Sequence, residues 1–264
     1  MTTSVEAMTA SVPVSGGSRA LRRLTLTEAK LFMRERVGLI WGVGFPIVLL
    51  IIFGSIPGFR KPISSSVPGL TVLDAYIPIL VALVIAMLAL SALPSVLASY
   101  REKGVLRRMA TTPVGPGRVL AAQLAVNVVT FLVTLVLLLA VARLAYGVPL
   151  ARQAGGFVLA VVFAIAALFG IGLFIAAIAS TGRAAQAAGT ILFFPMMFFA
   201  GLWLPIAAMP AVLQHISHAT PLGAAVQALT DSWQGHFPHP LQLITLAAYA
   251  LVFCLAAARL FRWE

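Results

Sequence analysis

The sequence predicts an all-α integral membrane protein of six transmembrane helices, and three observations predict it. Of its 264 residues, 61% are hydrophobic and only 9% are charged, where an ordinary soluble domain carries about 25% charged residues. The apolar residues gather into six runs, each close to the span of about 20 residues that crosses a bilayer. When those runs are threaded through a membrane, fourteen of the eighteen Lys and Arg residues fall on one side. Strands are excluded, because open edges in lipid leave backbone groups unpaired. The dyad alternation of a barrel is absent from the runs.

In chain order, residues 1–17 are rich in Ser, Thr and Gly and hold no apolar run. They are expected to be a disordered cytoplasmic tail, not a secretory signal. Residues 18–36 place Leu21, Leu24, Leu31 and Phe32 near one helical face, with the charges mainly elsewhere. That pattern suits an amphipathic helix lying on the membrane surface, or a plain cytosolic helix. The expected spans are 37–56, 75–99, 119–142, 156–180, 184–206 and 241–261. Pro46, Pro78, Pro94 and Pro195 lie in the runs or near their ends, where neighbouring helices can satisfy the carbonyls they free. Gly170, Gly172 and Gly189 permit close helix packing or a gating movement. Cys254 lies alone in an apolar run and reads as a small filler.

Orientation follows from the cations. Arg19, Arg22, Arg23, Lys30, Arg34, Arg36, Arg101, Lys103, Arg107, Arg108, Arg118, Arg183, Arg259 and Arg262 share one side, against Arg60, Lys61, Arg143 and Arg152. The positive-inside rule then places both termini in the cytoplasm of a cell whose inner (plasma) membrane the chain crosses. The outer segment 207–240 holds all four histidines, as His215/His218 and His236/His239. Few further ligands lie near them, so the segment reads as interfacial, with Trp203, Trp233 and Phe237 at the membrane surface, and not as a metal site.

Charge also bounds function. The net charge is +11, yet the cations flank apolar runs and form no aromatic-basic face, so nucleic acid is not an expected partner and membrane lipid is. Glu6, Glu28, Glu35, Asp74, Glu102, Asp231 and Glu264 are the acids, and none sits mid-span to carry a coupling proton or sodium ion. An intramembrane enzyme would need a catalytic set, and the sequence has no HExxH and no in-span carboxylate pair. A channel-like or structural membrane protein without ATP coupling stays as the alternative, though no filter motif or charged ring is present. The chain has no P-loop: Lys30, Lys61 and Lys103 follow Ala29, Arg60 and Glu102, so no Gly-Lys pair exists. If the protein does directional work, ATP must be hydrolysed by a separate chain.

Three sets of residues are candidates for that work. After span two, Arg101, Glu102, Lys103, Gly104, Leu106, Arg107, Arg108 and Met109 can form a short charged helix, stopped by Thr112-Pro113. It reads as a positive-inside loop or as a contact that transmits a partner's motion. In span three, Gln123, Asn127, Thr130 and Thr134 fall on one stripe, facing a translocation path or a neighbouring helix. In span five, Phe194, Met197 and Phe198 belong to a soft, bulky run that suits apolar substrates or ordinary packing.

The segment Arg101-Glu102-Lys103-Gly104-Val105-Leu106-Arg107-Arg108-Met109 with Thr112-Pro113 resembles the cytoplasmic loop of ABC-2 type permeases. Gly201-Leu-Trp-Leu-Pro205, Met209-Pro210 and Pro221-Leu222 are similar to the second motif of that family. Tyr100 and Val105 depart from it, where an acid and Thr are usual. Size and layout look most like the small daunorubicin-resistance-type export permeases, with an ABC-2 transmembrane domain over 18–264. The resemblance implies a homodimer or heterodimer of permease chains with two cytosolic ABC ATPase subunits. ATP and Mg would sit on those partners, with no cofactor on this chain. It also implies an amphipathic connecting helix at 18–36, ATPase coupling through the loop after span two, a partly re-entrant outer segment between spans five and six, and an apolar or amphipathic cargo such as a drug, lipid or lipid-linked glycan.

Overall fold

The computed structural model describes residues 40–61, 71–105, 108, 116–206 and 209–260. The expected tail 1–17 and amphipathic helix 18–36 lie outside the described residues. The regular elements among those described are all helices, without strands. A π turn Ile40–Gly44 leads into α1 (Phe45–Ser55). Then follow α2 (Val72–Glu102), α3 (Pro116–Tyr146), α4 (Ala154–Ile178) and α5 (Gly182–Phe199). Last come α6 (Ala211–Ala219), α7 (Pro221–Gln234) and α8 (Pro240–Leu260).

Four of these, α2, α3, α4 and α8, are long and apolar enough to cross a membrane. The six expected runs therefore yield four spans by length and composition among the described residues. α1 is apolar but short. α5 carries Arg183 and Gln186 in its first turns and stops at Phe199, not at 206. The early stop has a local cause: Gly201 takes φ +87° and its N–H bonds the Phe198 carbonyl, so the chain leaves the helix before Pro205.

Helix starts are set by side chains. Thr71 and Asp74 form a reciprocal capping box on α2: Asp74 Oδ2 accepts from the Thr71 N–H at 2.6 Å, while Thr71 Oγ1 accepts from the Asp74 N–H at 3.3 Å. An acid at the edge of an apolar run is thereby explained without ion coupling. Gln153, Thr181 and Thr220 cap α4, α5 and α7 in the same manner, each accepting one N–H. Opposite, the C-terminal end of α1 is closed by Arg60, whose Nε donates to the Gly54 carbonyl at 2.6 Å and whose guanidinium lies over the Tyr146 ring. Tyr146 in turn donates to Ile51 O, tying α1 to α3.

α2 is the central helix. Of its apolar stretch 72% is buried, against 11% for α8 on the periphery. Leu80, Leu83, Ile85, Leu88, Leu90 and Leu93 are all fully buried. Midway, residues Leu88–Ala92 form a π turn just ahead of Pro94. There the Leu93 N–H bonds Leu88 O, five residues back, and Pro94 has no N–H to offer the Leu90 carbonyl. The carbonyls of Ala89 and Leu90 are met instead by glycines of two other helices, Gly172 of α4 and Gly189 of α5, so closely that a Cβ at either would collide with the carbonyl. Such Cα–H···O=C approaches recur at helix interfaces and contribute about 0.5–1 kcal/mol each.

The outer segment is more deeply built in than its composition suggests. Its helices α6 and α7 meet at Thr220-Pro221. α7 buries Leu222, Ala225, Val226, Leu229 and Trp233 against α2, α4 and α8. The expectation that Trp233 marks the membrane surface is thus corrected: only 3% of it is exposed, with its ring edge-on to Phe157 at 5.8 Å. Trp203 and Phe237 are exposed, as an interfacial role requires. Cys254 packs against Gly170, where a Cβ would stand 3.1 Å from its sulfur.

Candidate functional site

At about 1.5 Å per residue, the 31 residues of α2 make a rod of about 46 Å, longer than the roughly 30 Å hydrocarbon layer. α3 is as long. The end of α2 and the start of α3 therefore have length to spare beyond the bilayer, and the segment joining them carries the charged motif.

That motif does not form one helix from 101 to 109. α2 continues through Arg101 and Glu102 and ends there, with the Lys103 N–H on Ser99 O and the Gly104 N–H on Arg101 O. Gly104 takes φ +67°, the left-handed region that closes helices and favours glycine. A new helical turn begins beyond it, since the Arg108 N–H donates to Gly104 O at 3.1 Å. The reason is local: glycine is a poor helix former and enters the left-handed region without a Cβ penalty, so the helix ends there. Lys103 and Arg108 are exposed, while Leu106, Arg107 and Met109 lie outside the described residues.

Arg101 and Glu102 reach across to the turn between α4 and α5. Arg101 donates from Nη1 to the Ala177 carbonyl at 2.9 Å and from Nη2 to the Ala179 carbonyl. Glu102 Oε2 accepts the Gly182 N–H at 3.0 Å. A cation thus meets the last carbonyls of α4 and a carboxylate meets the first N–H of α5, each matching the sign of the helix dipole it faces. Gly182 is buried so tightly on α2 that a Cβ there would strike Ser99 Oγ. Glu102 keeps an exposed face beyond this bond. The sequence singled out Arg101 and Glu102 but not what they hold. The partner lies about 80 positions away, and its one local signal is Thr181-Gly182 as a helix start.

The α3 stripe is buried within the chain: Gln123, Asn127, Thr130 and Thr134 are all under a tenth exposed. Asn127, Thr130 and Thr134 donate to carbonyls four residues back, and Gln123 donates to Tyr100 OH at 3.4 Å. Asn127 Oδ1 is buried without a partner among the described residues. The span-five set is split by the helix. Phe194 is exposed and lies parallel to Trp203, Met197 is fully buried, and Phe198 is between the two. All four histidines are exposed. Among the described residues no three His, Cys, Asp or Glu side chains gather as a metal cage would require.

A family model described as ABC-2 type transporter matches residues 19–232, from ahead of the first apolar run into the last turn of α7. The comparison with curated proteins finds no match.

Proposed function

Because the chain belongs to the ABC-2 type transporter family, and so is the membrane component of an ABC-type transporter, we propose that it is the permease half of an exporter. It moves an apolar or amphipathic substrate (a drug, lipid or lipid-linked glycan) out of the cytoplasm. Two cytosolic ABC ATPase subunits hydrolyse the ATP and carry the Mg, and a second permease chain completes the pair, as in the daunorubicin-resistance-type systems. In this reading the chain crosses the inner (plasma) membrane six times with both termini cytoplasmic, α1 and α5 supplying the two spans that length and composition alone do not. Residues 207–240 form a partly re-entrant outer segment. The domain runs over 18–264, behind a cytoplasmic tail of residues 1–17.

The observation that carries the reading is the end of α2, a rod longer than the bilayer whose Arg101-Glu102-Lys103-Gly104 tip is exposed at Glu102 and Lys103 and tied to the α4–α5 turn. The ATPase docks on this tip and the residues after it, namely Arg101, Glu102, Lys103, Gly104, Leu106, Arg107, Arg108 and Met109. The substrate passes near Gln123, Asn127, Thr130 and Thr134 and the Phe194, Met197 and Phe198 run. The absence of any Gly-Lys pair supports a separate source of ATP hydrolysis.

Inside-out vesicles from cells making the chain with its ATPase provide the test. Two probes suffice, a fluorescent amphipathic cation and a short-tailed fluorescent phospholipid. ATP-dependent accumulation or flipping of either, lost on adding vanadate, is expected. ATP-independent leakage of both would favour a channel instead.

A further inference from the structure

In a chain that carries mechanical work from one end to another, the force-bearing helix must be fastened to the helices it moves. α2 is fastened to α4 and α5 in mid-membrane by carbonyl-to-glycine contacts, which are weak and directionally soft. At its tip it is fastened differently. Two consecutive residues, Arg101 and Glu102, bond both sides of one short turn: Arg101 holds the carbonyls of Ala177 and Ala179, and Glu102 holds the N–H of Gly182. These are charge-assisted bonds to helix ends, stronger and more sharply oriented than neutral ones. The turn they hold joins α4 to α5, so one grip reaches both helices. Gly104 takes a left-handed backbone immediately afterwards, which ends the helix. The grip therefore lies on the helical side of that break.

We propose that Arg101 and Glu102 are a latch that positions the α4–α5 turn on the tip of α2, so that a push delivered beyond Gly104 moves α2, α4 and α5 as one body. The proposal rests on the permease reading above and adds an inward duty for these two residues to the docking proposed there. The two duties make opposite demands at position 102. A latch needs an acceptor for the Gly182 N–H, which an amide supplies. A contact with a cation of the ATPase needs the negative charge, which an amide lacks.

The test uses the complete transporter, permease with ATPase, in lipid nanodiscs and in a Cys254→Ala chain. Spin labels at Lys103→Cys and Gln186→Cys, both exposed positions, report the separation of the α2 tip from α5, with and without vanadate-trapped nucleotide. Substrate moved per ATP hydrolysed is measured in parallel on unlabelled chains. With Glu102 present the distance distribution is expected to be narrow in both states. Glu102→Ala should broaden it and lower transport per ATP about five-fold, as loss of one helix cap implies. Glu102→Gln, which keeps an acceptor but loses the charge assistance, should restore part of both, and Arg101→Ala should resemble Glu102→Ala. A distribution as narrow in Glu102→Ala as in the parent overturns the latch. So does a Glu102→Gln chain as uncoupled as Glu102→Ala, which would assign position 102 to its charge. If no ATPase accompanies the parent chain, the permease reading itself falls and the coupling role goes with it. That result is separable, because it appears before any variant is made.

Discussion

Gly189→Ala adds one methyl group where α5 rests on the π turn of α2. The Leu90 carbonyl points at α5 because Pro94 cannot supply the N–H that would have bonded it. A Cβ at Gly189 meets both the oxygen and the carbon of that carbonyl, which are backbone and cannot swing aside. α2 cannot rotate to relieve the clash, since Leu88, Leu90 and Leu93 around the turn are fully buried. α5 must therefore retreat, on the order of 1 Å if a carbon–oxygen contact of about 3.3 Å is to be restored. Overpacking costs about 1–3 kcal/mol, and the lost Cα–H···O approach adds about 0.5–1 kcal/mol. Helix propensity returns about 1 kcal/mol. The net, about 0.5–3 kcal/mol, corresponds to a fall in Tm of about 1–12 °C for a chain of this size. The assay is a melting curve of the detergent-solubilised protein followed by size-exclusion fluorescence. Gly44→Ala is the matched comparison. Gly44 has helical φ −70° and ψ −46°, with nothing among the described residues within 4 Å of its would-be Cβ, so it should hold or gain a degree or two. If Gly189→Ala melts with Gly44→Ala, the close approach is not a packing constraint and the account of the π turn is wrong.

Other outcomes follow from the same geometry. At Gly104 a side chain meets nothing within 4 Å among the described residues but has a left-handed backbone to adopt, so strain of about 1–2 kcal/mol opposes it. Transport in vesicles should fall in the order Gly, Asn, Ala, Val, and equal transport by the Val chain would remove the helix break from the mechanism. Asp74→Ala should lower Tm by the equivalent of about 1 kcal/mol, and Asp74→Asn by less, because the amide oxygen still accepts from Thr71. An Asn variant as unstable as the Ala variant would contradict the capping role. In the Cys254→Ala chain, cysteines at Ser65 and His236 should react with an impermeant thiol reagent in intact cells, and one at Lys103 only after lysis. The reverse pattern would invert the orientation.

α2, α3, α4 and α8 were legible within about four residues, because their apolar runs end on charge or on Gly and Pro, as α2 does at Arg101-Glu102. The end of α5 was not. Phe199-Ala-Gly-Leu-Trp-Leu204 continues the apolar run, and only the backbone angle at Gly201 stops the helix. Trp233 misled for a related reason. An indole suits an interface by its chemistry, but the neighbour that buries it, Phe157, sits far off in sequence on α4. Gly172 and Gly189 announced close packing without naming its object, since a π turn is a hydrogen-bond pattern and not a composition. The α3 stripe was legible as a stripe, but the burial of all four side chains was not, because it depends on helices far off in sequence. The latch was half legible. Arg101 and Glu102 stood out by charge, but the carbonyls of Ala177 and Ala179 and the N–H of Gly182 are backbone groups that no residue type discloses.

The most direct test of the central claim is the native mass of the affinity-tagged chain extracted gently from its own membrane. The account predicts two permease chains with two copies of a P-loop ATPase that has no apolar span of its own. An assembly that contains this chain but no nucleotide-hydrolysing partner would contradict it.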